Sequence, residues 1–239
     1  MAVDLLNGLV SYWRLDESSD GSGAVTRNDS HGSNHLTDNN TTPSGTGKIN
    51  SGASCVRANS EYLEVADNAG LSPTQFSVSA WVRPVSAGMG TTRGVIVKYN
   101  SSTPAQSSFA LLALVSNRLA LYLRISAGTE LVASPATVMS ADTWYFVVGK
   151  YNGSTISLSI NAGSPTTTAL AGSMNDSTSA LRIGMYPSNL SGSGFGGIID
   201  EVGFWNRAID SDEETALYNS GNGKEYPFSN RRRRVLICQ

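Results

Sequence analysis

Apolar and polar positions alternate along much of this chain, which predicts many short β-strands rather than long helices. The most regular run covers residues 76–82, and one of its faces carries only apolar side chains, namely Phe76, Val78, Ala80 and Val82. The other face carries Ser77, Ser79 and Trp81. A strand with this pattern places one face in the core of a β-sandwich.

Turn residues between the apolar runs predict antiparallel hairpins. An Asn-Gly pair at residues 152–153 separates the runs at 145–150 and 155–160, and this pair is the strongest short-range hairpin signal. A Ser-Asn pair at residues 116–117 separates two further strand-like runs. The chain is therefore predicted to be all-β, with strands that pair mainly with their sequence neighbours.

A pair of acids, Asp200 and Glu201, interrupts an apolar run at residues 198–205. The period of two assigns these acids to opposite faces, so each face of the predicted strand carries one acid among apolar side chains. A buried carboxylate must be paired, hydrogen-bonded or bound to a metal, because leaving it bare is costly in free energy. The sequence therefore predicts specific partners for both acids.

A short helix is predicted near the end of the chain. Ser211 and Glu214 have the spacing of a capping box, in which each side chain accepts a hydrogen bond from the backbone amide of the other. Gly221 supplies a residue for a left-handed stop. The acids at positions 210 and 212–214 suit the positive end of a helix, and this interpretation is favoured over a metal or catalytic site.

Four segments follow one another in an order that is typical of one family. They are Gly8-Leu-Val-Ser-Tyr-Trp-Arg-Leu-Asp-Glu, Phe76-Ser-Val-Ser-Ala-Trp-Val-Arg-Pro, Thr143-Trp-Tyr-Phe-Val-Val-Gly-Lys-Tyr-Asn-Gly, and Gly197-Ile-Ile-Asp-Glu-Val with the Asn-Arg-Ala turn and helix after it. Together they resemble the laminin-G-like members of the concanavalin A-like jelly-roll family. The resemblance implies an all-β, concanavalin A-like jelly-roll β-sandwich of two antiparallel sheets with one short C-terminal helix. We assign residues 1–228 to this domain and residues 229–239 to a basic and apolar tail.

The same resemblance implies a structural calcium ion. In many relatives an early loop packs against the Ile-Asp-Glu-Val strand around a cation, and residues 29–34 match that loop loosely. Asp200 and Asp29 would then be metal ligands together with backbone carbonyl groups, because calcium takes about six to eight oxygen atoms. His31 departs from the usual small residue in this loop. The alternative is that Asp200 only accepts hydrogen bonds from amides of the loop.

Aromatic side chains beside amides are candidates for sugar binding, since sugars stack on aromatic rings. Tyr99 with Asn100 and Tyr186 with Asn189 have this composition, and we predict them as ligand-binding residues. The alternative is that these are ordinary tyrosines in turns.

The residues do not predict an enzyme. Glucanases of this fold use paired acids in a Glu-x-Asp-x-x-Glu pattern, whereas Asp200 and Glu201 are adjacent, and Glu61 and Glu64 lack the middle acid. The two histidines, at positions 31 and 35, lie in a turn rich in Gly and Asn, which favours a surface role over zinc binding. We therefore predict no catalytic activity.

Composition excludes several other classes of function. The formal net charge of −2 gives no general attraction for nucleic acid. No run approaches the roughly 18 apolar residues that cross a bilayer, and the first residues lack the basic and apolar regions of a secretory signal. Two cysteines, Cys55 and Cys238, are too few for a disulfide framework, and Cys55 is expected to be a small buried thiol.

The end of the chain differs in composition from everything before it. Four arginines precede a short apolar segment, and the residues concerned are Arg231, Arg232, Arg233, Arg234, Val235, Leu236 and Ile237. We predict that they bind a neighbouring chain, the apolar part by adding a strand to a sheet edge and the arginines by pairing with carboxylates. The alternative is a solvated tail or a segment derived from a vector.

Taken together, these features predict a non-catalytic binding or structural module that is displayed on an assembled particle such as a phage virion, as a capsid decoration or tail-fibre subunit. Its expected partners are assembly subunits or further copies of itself, with cell-surface glycans as ligands, and its expected location is the virion or the extracellular surface. The second interpretation is a secreted carbohydrate-binding protein, and the third is an unusual glycoside hydrolase.

Overall fold

Two stacked antiparallel β-sheets make up the part of the chain that this computed structural model describes, which is residues 3–100, 107–125, 130–186 and 193–228. The described part contains fifteen strands and one α-helix. The predicted sandwich of two antiparallel sheets with one short C-terminal helix is confirmed. No helix in these residues is long and apolar enough to cross a membrane.

The strands are short, as the spacing of the turn residues predicts. In chain order they are β1 (Leu9–Trp13), β2 (Thr37–Asn39), β3 (Ser44–Thr46), β4 (Ser51–Cys55), β5 (Tyr62–Val65), β6 (Phe76–Pro84), β7 (Arg93–Lys98), β8 (Phe109–Ala113), β9 (Leu119–Arg124), β10 (Glu130–Ala133), β11 (Tyr145–Tyr151), β12 (Thr155–Ile160), β13 (Thr166–Ala169), β14 (Leu181–Ile183) and β15 (Gly197–Trp205), followed by helix α1 (Ser211–Tyr218). The first sheet has the order β13-β12-β11-β6-β15-β4-β3, and the second has the order β10-β9-β8-β7-β14-β5-β2. Strand β1 also belongs to the first sheet, where it pairs with β15.

Strand β15 organises the first sheet because it is paired along both of its edges. One edge pairs with β6, and this pairing shifts register between Asp200 and Gly203. The other edge is shared, since β4 pairs with Gly197–Ile199 and β1 pairs with Val202–Trp205. The two acids therefore lie where the partner strand changes, at a β-bulge.

The main core lies between the two sheets. Phe76 from β6, Phe109 from β8 and Phe204 from β15 pack together there, with ring centroids 4.6 to 6.2 Å apart. The predicted inner face of β6 is confirmed, because Phe76, Val78, Ala80 and Val82 all belong to this core. Burial of apolar side chains such as these is the dominant favourable term in folding.

The outer face of the first sheet is also buried, because the N-terminal residues and α1 cover it. Trp81 packs there in a second apolar cluster with Leu5, Trp205 and Leu217. Ser77 on the same face is fully buried, and its hydroxyl donates to the carbonyl of Arg207 and accepts from the amide of Ile209. Strand β6 is thus buried on both faces, whereas its alternation of apolar and polar residues predicts that only one face is buried in a core.

The capping box of helix α1 lies one residue earlier in the chain than the sequence predicts. Asp210 is the N-cap, and its carboxylate accepts from the amide of Glu213 at 2.8 Å, while the Glu213 carboxylate accepts from the amide of Asp210 at 2.9 Å. Glu214 instead faces the first sheet, where Lys150 and Ser159 contact its carboxylate. The left-handed stop is Asn219 rather than Gly221. The predicted capping box at Ser211 and Glu214 is therefore wrong, because the Glu214 carboxylate contacts Lys150 and Ser159 instead of the helix N-terminus.

Candidate functional site

A group of tyrosines lies on the outer face of the second sheet, over strands β7, β8 and β9. Its floor is apolar and consists of Val97, Ala110 and Leu112. Cross-strand pairing aligns this floor, since Val97 is opposite Ala110 and Ala110 is opposite Tyr122. Directly paired residues in antiparallel strands share a face, so all of these side chains point away from the main core.

Three tyrosines surround a small cleft above this floor, which we call the tyrosine cleft. It encloses about 140 Å³ and is lined by Thr92, Tyr99, Ala110, Leu112, Tyr122 and Tyr186. The rings of Tyr99 and Tyr186 are tilted by 31° with centroids 5.5 Å apart. All three tyrosines are half-buried. The rings thus offer partly accessible aromatic surface that is held in place by packing.

The structure brings together part of the residue set that the sequence predicts for ligand binding, and their role in binding stays a prediction. Tyr99 and Tyr186 lie together although 87 positions separate them in the chain. Asn100 adjoins the cleft without lining it, and its backbone exchanges hydrogen bonds of 2.9 Å with the hydroxyl of Ser107. Asn189 lies outside the described residues. Tyr122 was missed, because only the pairing of β8 with β9 shows that it shares a face with the other two.

Polar groups continue the same outer face beyond the tyrosines. Arg182 is opposite both Val97 of β7 and Glu64 of β5, so it extends the cross-strand row that contains Tyr122. Its Nε donates to Glu64 Oε2 at 2.9 Å, and its guanidinium lies 5.3 Å from the ring centroid of Tyr62. Aromatic surface and fixed polar groups therefore lie side by side, which is the composition of small-ligand sites.

Asp200 is fully buried and is hydrogen-bonded by backbone amides. Its Oδ2 accepts from the amides of Lys48 at 2.7 Å and Ile49 at 3.0 Å, and its Oδ1 accepts from the amide of Glu201 at 2.8 Å. The amides of Lys48 and Ile49 belong to the turn between β3 and β4. The expectation that Asp200 meets the loop at residues 29–34 is wrong, because the adjoining strand β4 brings this other turn to it.

Glu201 lies on the same side of β15 as Asp200, because the bulge disrupts the period of two. It adopts the left-handed backbone conformation with a φ of 49°, so Ile199 and Val202 both reach the main core. The hydroxyl of Tyr12 donates to Glu201 Oε2 at 2.6 Å. Within the described residues Oε1 has no hydrogen-bond partner. The prediction of one acid on each face is therefore wrong.

Burial raises the pKa of both acids. The pKa of Asp200 rises to about 7 because burial disfavours the charged form, although its amide hydrogen bonds act in the opposite direction. The pKa of Glu201 rises to about 8, again mainly through burial, with the nearby charge of Asp200 adding to the effect. Glu201 in turn helps to raise the pKa of Tyr12, for which burial is the larger cause.

Asp29 is buried within its own loop. Its Oδ1 accepts from the amides of Tyr12, His31 and Gly32, and its Oδ2 accepts from the amide of Asn34, at distances of 2.8 to 3.0 Å. The carboxylates of Asp29 and Asp200 are therefore both surrounded by N–H donors, which a cation would have to displace. Within the described residues no three His, Cys, Asp or Glu side chains gather in a metal-binding arrangement. The donor set fits the alternative of amide hydrogen bonds better than calcium, and the calcium site stays a prediction.

The other acids and histidines considered from the sequence have local partners. Glu61 accepts from the amide of Val56 at 2.6 Å and from the side chain of Asn59 at 2.8 Å. His35 accepts from the amide of Asp29 through Nδ1, and His31 lies 3.2 Å from the hydroxyl of Tyr226. The predicted partner-binding residues, Arg231–Ile237, lie outside the described residues, so their docking stays a prediction.

Comparison with protein families finds one match. A model described as the concanavalin A-like lectin/glucanases superfamily matches residues 57–213, which is more than half of the chain. No curated protein matches.

Solved structures share the fold at low sequence identity. The chain is similar to the binding domain of Paraclostridial Mosquitocidal Protein 1, with a TM-score of 0.71, 14% identity, and coverage of 91% of this chain and 53% of that one. It is similar to domain 4 of AbnA, a GH43 extracellular arabinanase from Geobacillus stearothermophilus solved in complex with arabinotriose, with a TM-score of 0.64, 16% identity, and coverage of 87% and 96%. It is also similar to the binding domain of botulinum neurotoxin DC in complex with SialylT, with a TM-score of 0.64, 14% identity, and coverage of 90% and 52%. The chain thus spans about half of each toxin domain and nearly all of the arabinanase domain.

Proposed function

Because this chain belongs to the concanavalin A-like lectin/glucanases superfamily, we propose that it is a non-catalytic glycan-binding module whose sugar site is the tyrosine cleft. The observation that carries the proposal is the convergence of Tyr99, Tyr122 and Tyr186 around one cleft on an apolar floor. Half-buried rings lose little freedom when a sugar stacks on them, because packing already fixes their orientation.

The neighbouring polar row supports the same proposal. A sugar that stacks on the tyrosines needs donors and acceptors for its hydroxyl groups. Arg182 and Glu64 offer both on the same face of the sheet, and each holds the other in place through their ion pair. A pocket with mainly apolar walls and a few fixed polar groups has the usual character of a ligand site.

Two of the structural neighbours add support by analogy. The arabinanase domain was solved with arabinotriose, and the neurotoxin domain was solved with SialylT. Arabinotriose is therefore a reasonable first ligand to test on this chain, with a glycan array as the wider search. The analogy rests on fold alone, which hosts many functions.

Substitution of the tyrosines tests the proposal. Tyr99→Ala and Tyr122→Ala should each lower the affinity for the best array ligand at least about tenfold, equivalent to about 1.4 kcal/mol. The matched control is Tyr226→Ala, because Tyr226 is also half-buried but packs on Tyr12 in the first sheet. Titration calorimetry gives the affinities, and melting curves show that each variant folds. Failure of the wild type to bind any glycan, or equal loss in all three variants, would refute the site.

The non-catalytic part of the proposal rests on the burial of the acid pair. Asp200 is 0% exposed and Glu201 is 2% exposed, so a polysaccharide cannot contact them in this conformation. Incubation with β-glucans, arabinan, alginate and chitin should release no reducing sugar above buffer. Turnover that disappears in Glu201→Gln or Asp200→Asn would overturn this part.

Display on an assembled particle is a separate proposal that the sequence alone supports. The composition of residues 231–237 suits docking on a neighbouring chain. Deletion of residues 231–239 should leave the melting curve of the domain nearly unchanged while abolishing assembly in size-exclusion chromatography. A truncated chain that assembles as well as the full one would contradict the proposal.

A further inference from the structure

The outer face of the second sheet is accessible well beyond the tyrosine cleft. Strand β5 alternates there, because Leu63 belongs to the main core whereas Tyr62 and Glu64 are half-buried on the opposite side. The pairing of β5 with β2 places Asn39 opposite Tyr62 and Thr37 opposite Glu64. Directly paired residues share a face of the sheet, so all four of these side chains lie on its outer face. The face that carries the tyrosine cleft therefore extends to the edge strand β2.

A ladder of directly paired residues shows how long this face is across the strands. The ladder consists of Tyr122, Ala110, Val97, Arg182, Glu64 and Thr37. It runs from β9 to β2 through β8, β7, β14 and β5, and five strand spacings of about 4.8 Å give a length of roughly 24 Å. Ala110 on the floor of the tyrosine cleft and Tyr62 on β5 lie three spacings apart, which is roughly 14 Å. A ligand that contacts both regions must therefore be longer than a disaccharide.

A second aromatic contact region lies at the β5 end of this ladder. We call it the Tyr62 platform, and it consists of Tyr62, Arg182, Glu64 and Asn39. The guanidinium carbon of Arg182 lies 5.3 Å from the ring centroid of Tyr62, a distance that allows a cation–π contact. Glu64 holds the guanidinium by accepting from its Nε at 2.9 Å, and Asn39 lies opposite Tyr62 on β2. The platform thus combines a ring on which a sugar can stack with polar groups for its hydroxyls.

The ion pair of the Tyr62 platform retains polar atoms for a ligand. Within the described residues, the side chains of Arg182 and Glu64 make their hydrogen bond to each other and to no other group. They are 30% and 29% exposed, and neither contributes to the buried polar atoms that lack a partner. The two Nη groups of Arg182 and Oε1 of Glu64 can therefore donate to and accept from sugar hydroxyl groups. Because the two opposite charges compensate each other, the platform favours a neutral sugar over an acidic one.

We infer that the second sheet binds a neutral linear oligosaccharide across its strands, with one sugar in the tyrosine cleft and another on the Tyr62 platform. The inference rests on the proposed glycan-binding function and adds to it a second contact region and a minimum ligand length. Two contact regions on one ligand strengthen binding, because the second contact forms within a complex that already exists.

Ligand length tests the inference. The probes are arabinobiose, cellobiose, xylobiose and the three corresponding hexaoses, each titrated calorimetrically into the full chain. In the series that binds, the hexaose should bind at least about tenfold more tightly than the biose. A biose that binds as tightly as its hexaose would overturn the extended site while leaving the tyrosine cleft as a sugar site. No binding by any of these oligosaccharides would also overturn the inference, whereas the proposed function fails only if the glycan array yields no ligand either.

Tyr62→Ala separates the two contact regions. It should lower the affinity for the hexaose at least about tenfold and leave the affinity for the biose unchanged, because the biose occupies the tyrosine cleft alone. Tyr99→Ala should lower both affinities. Tyr62 is half-buried on the outer face, so Tyr62→Ala should fold, and Tyr62→Phe should bind the hexaose as the wild type does because the ring is retained. Unchanged hexaose affinity in Tyr62→Ala, or an equal loss for the biose, would overturn the inference.

Arg182→Gln tests the same platform without removing the ring of Tyr62. It should lower the hexaose affinity at least about tenfold and leave the biose affinity unchanged, because the two Nη donors are lost. The matched control is Arg83→Gln, which also breaks a partly exposed ion pair but lies on β6 of the first sheet. This control should change neither affinity. A loss of hexaose affinity as large in Arg83→Gln as in Arg182→Gln, or no loss in Arg182→Gln, would show that the platform does not contact the sugar.

Discussion

At the scale of single residues, the acids of β15 show how the backbone decides the role of a side chain. Asp200 and Glu201 lie at the bulge where β4 gives way to β1 as the partner of β15. The interruption turns both acids toward the second apolar cluster, where Asp200 meets amides and Glu201 meets Tyr12. The acids thus join three segments that are distant in sequence.

Loss of the Asp200 carboxylate should destabilise the protein. Asp200→Ala removes the buried acceptor of the Lys48 and Ile49 amides, so the free energy of unfolding should fall by about 3 kcal/mol. Asp200→Asn should lose less, because its side-chain oxygen can still accept. The matched control is Asp20→Ala, an exposed aspartate that should change stability by no more than about 0.5 kcal/mol. Chemical denaturation measures all three, and an Asp200→Ala variant as stable as the control would contradict the assignment.

Glu201 should make stability depend on pH. Its folded pKa of about 8 lies above the value of about 4.3 for an unfolded chain, so between these values the folded state holds a proton that the unfolded state has lost. The contribution is therefore fully present below the unfolded pKa and is lost as pH rises to the folded pKa. The groups that act on Glu201 are Tyr12, Asp200, Asp16 and Arg14.

Glu201→Gln isolates this effect, because glutamine does not titrate and still accepts from Tyr12. Relative to the wild type, the variant should gain stability as the pH is raised from about 5 to about 9. Urea denaturation at a series of pH values measures the difference. A difference that stays constant over this range would show that the pKa of Glu201 is not raised.

At the scale of elements, helix α1 depends on its cap and on the face that it buries. Asp210→Ala should destabilise the protein by about 1 kcal/mol, because the amide of Glu213 loses its acceptor. Ser211→Ala is the matched control and should change stability by less than about 0.5 kcal/mol. Thermal melts measure both. A larger loss of stability in Ser211→Ala than in Asp210→Ala would instead support the capping box that the sequence predicts at Ser211.

At the scale of the whole molecule, the first sheet is covered on both faces and the second sheet leaves its outer face partly accessible. The N-terminal residues and α1 pack over Trp81 and Trp205, whereas the tyrosines lie at the surface of the second sheet. A ligand that binds a flat face of this sandwich would therefore meet the second sheet.

Chelation tests whether a metal stabilises the whole fold. EDTA should leave the melting temperature unchanged, because the oxygens of Asp29 and Asp200 already accept hydrogen bonds from amides. Addition of calcium should likewise have no effect. A melting temperature that falls in EDTA and recovers with calcium, in the wild type but not in Asp200→Ala, would confirm the calcium site that the resemblance implies.

Local pattern carried much of the information about this fold. The alternation in β6 predicted its core face, the Asn-Gly pair predicted the hairpin of β11 and β12, and the four ordered segments predicted the jelly roll. Tyr99 and Tyr186 were also proposed as binding residues from composition, because an aromatic residue beside an amide is a local feature, and that role stays a prediction. These properties depend on residues that are close in sequence.

Tertiary structure decided what depends on pairing between distant strands. Tyr122 joins the tyrosine cleft through the register of β8 with β9. Asp200 meets Lys48 and Ile49 because β4 adjoins β15. The sequence by itself determined the strands and their inner faces, because the alternation of apolar and polar residues is a local property of the sequence. It could not determine the strand register or the β-bulges. A shift of one residue moves every side chain of a strand to the opposite face, and the free energy of packing the whole sandwich decides which register is adopted.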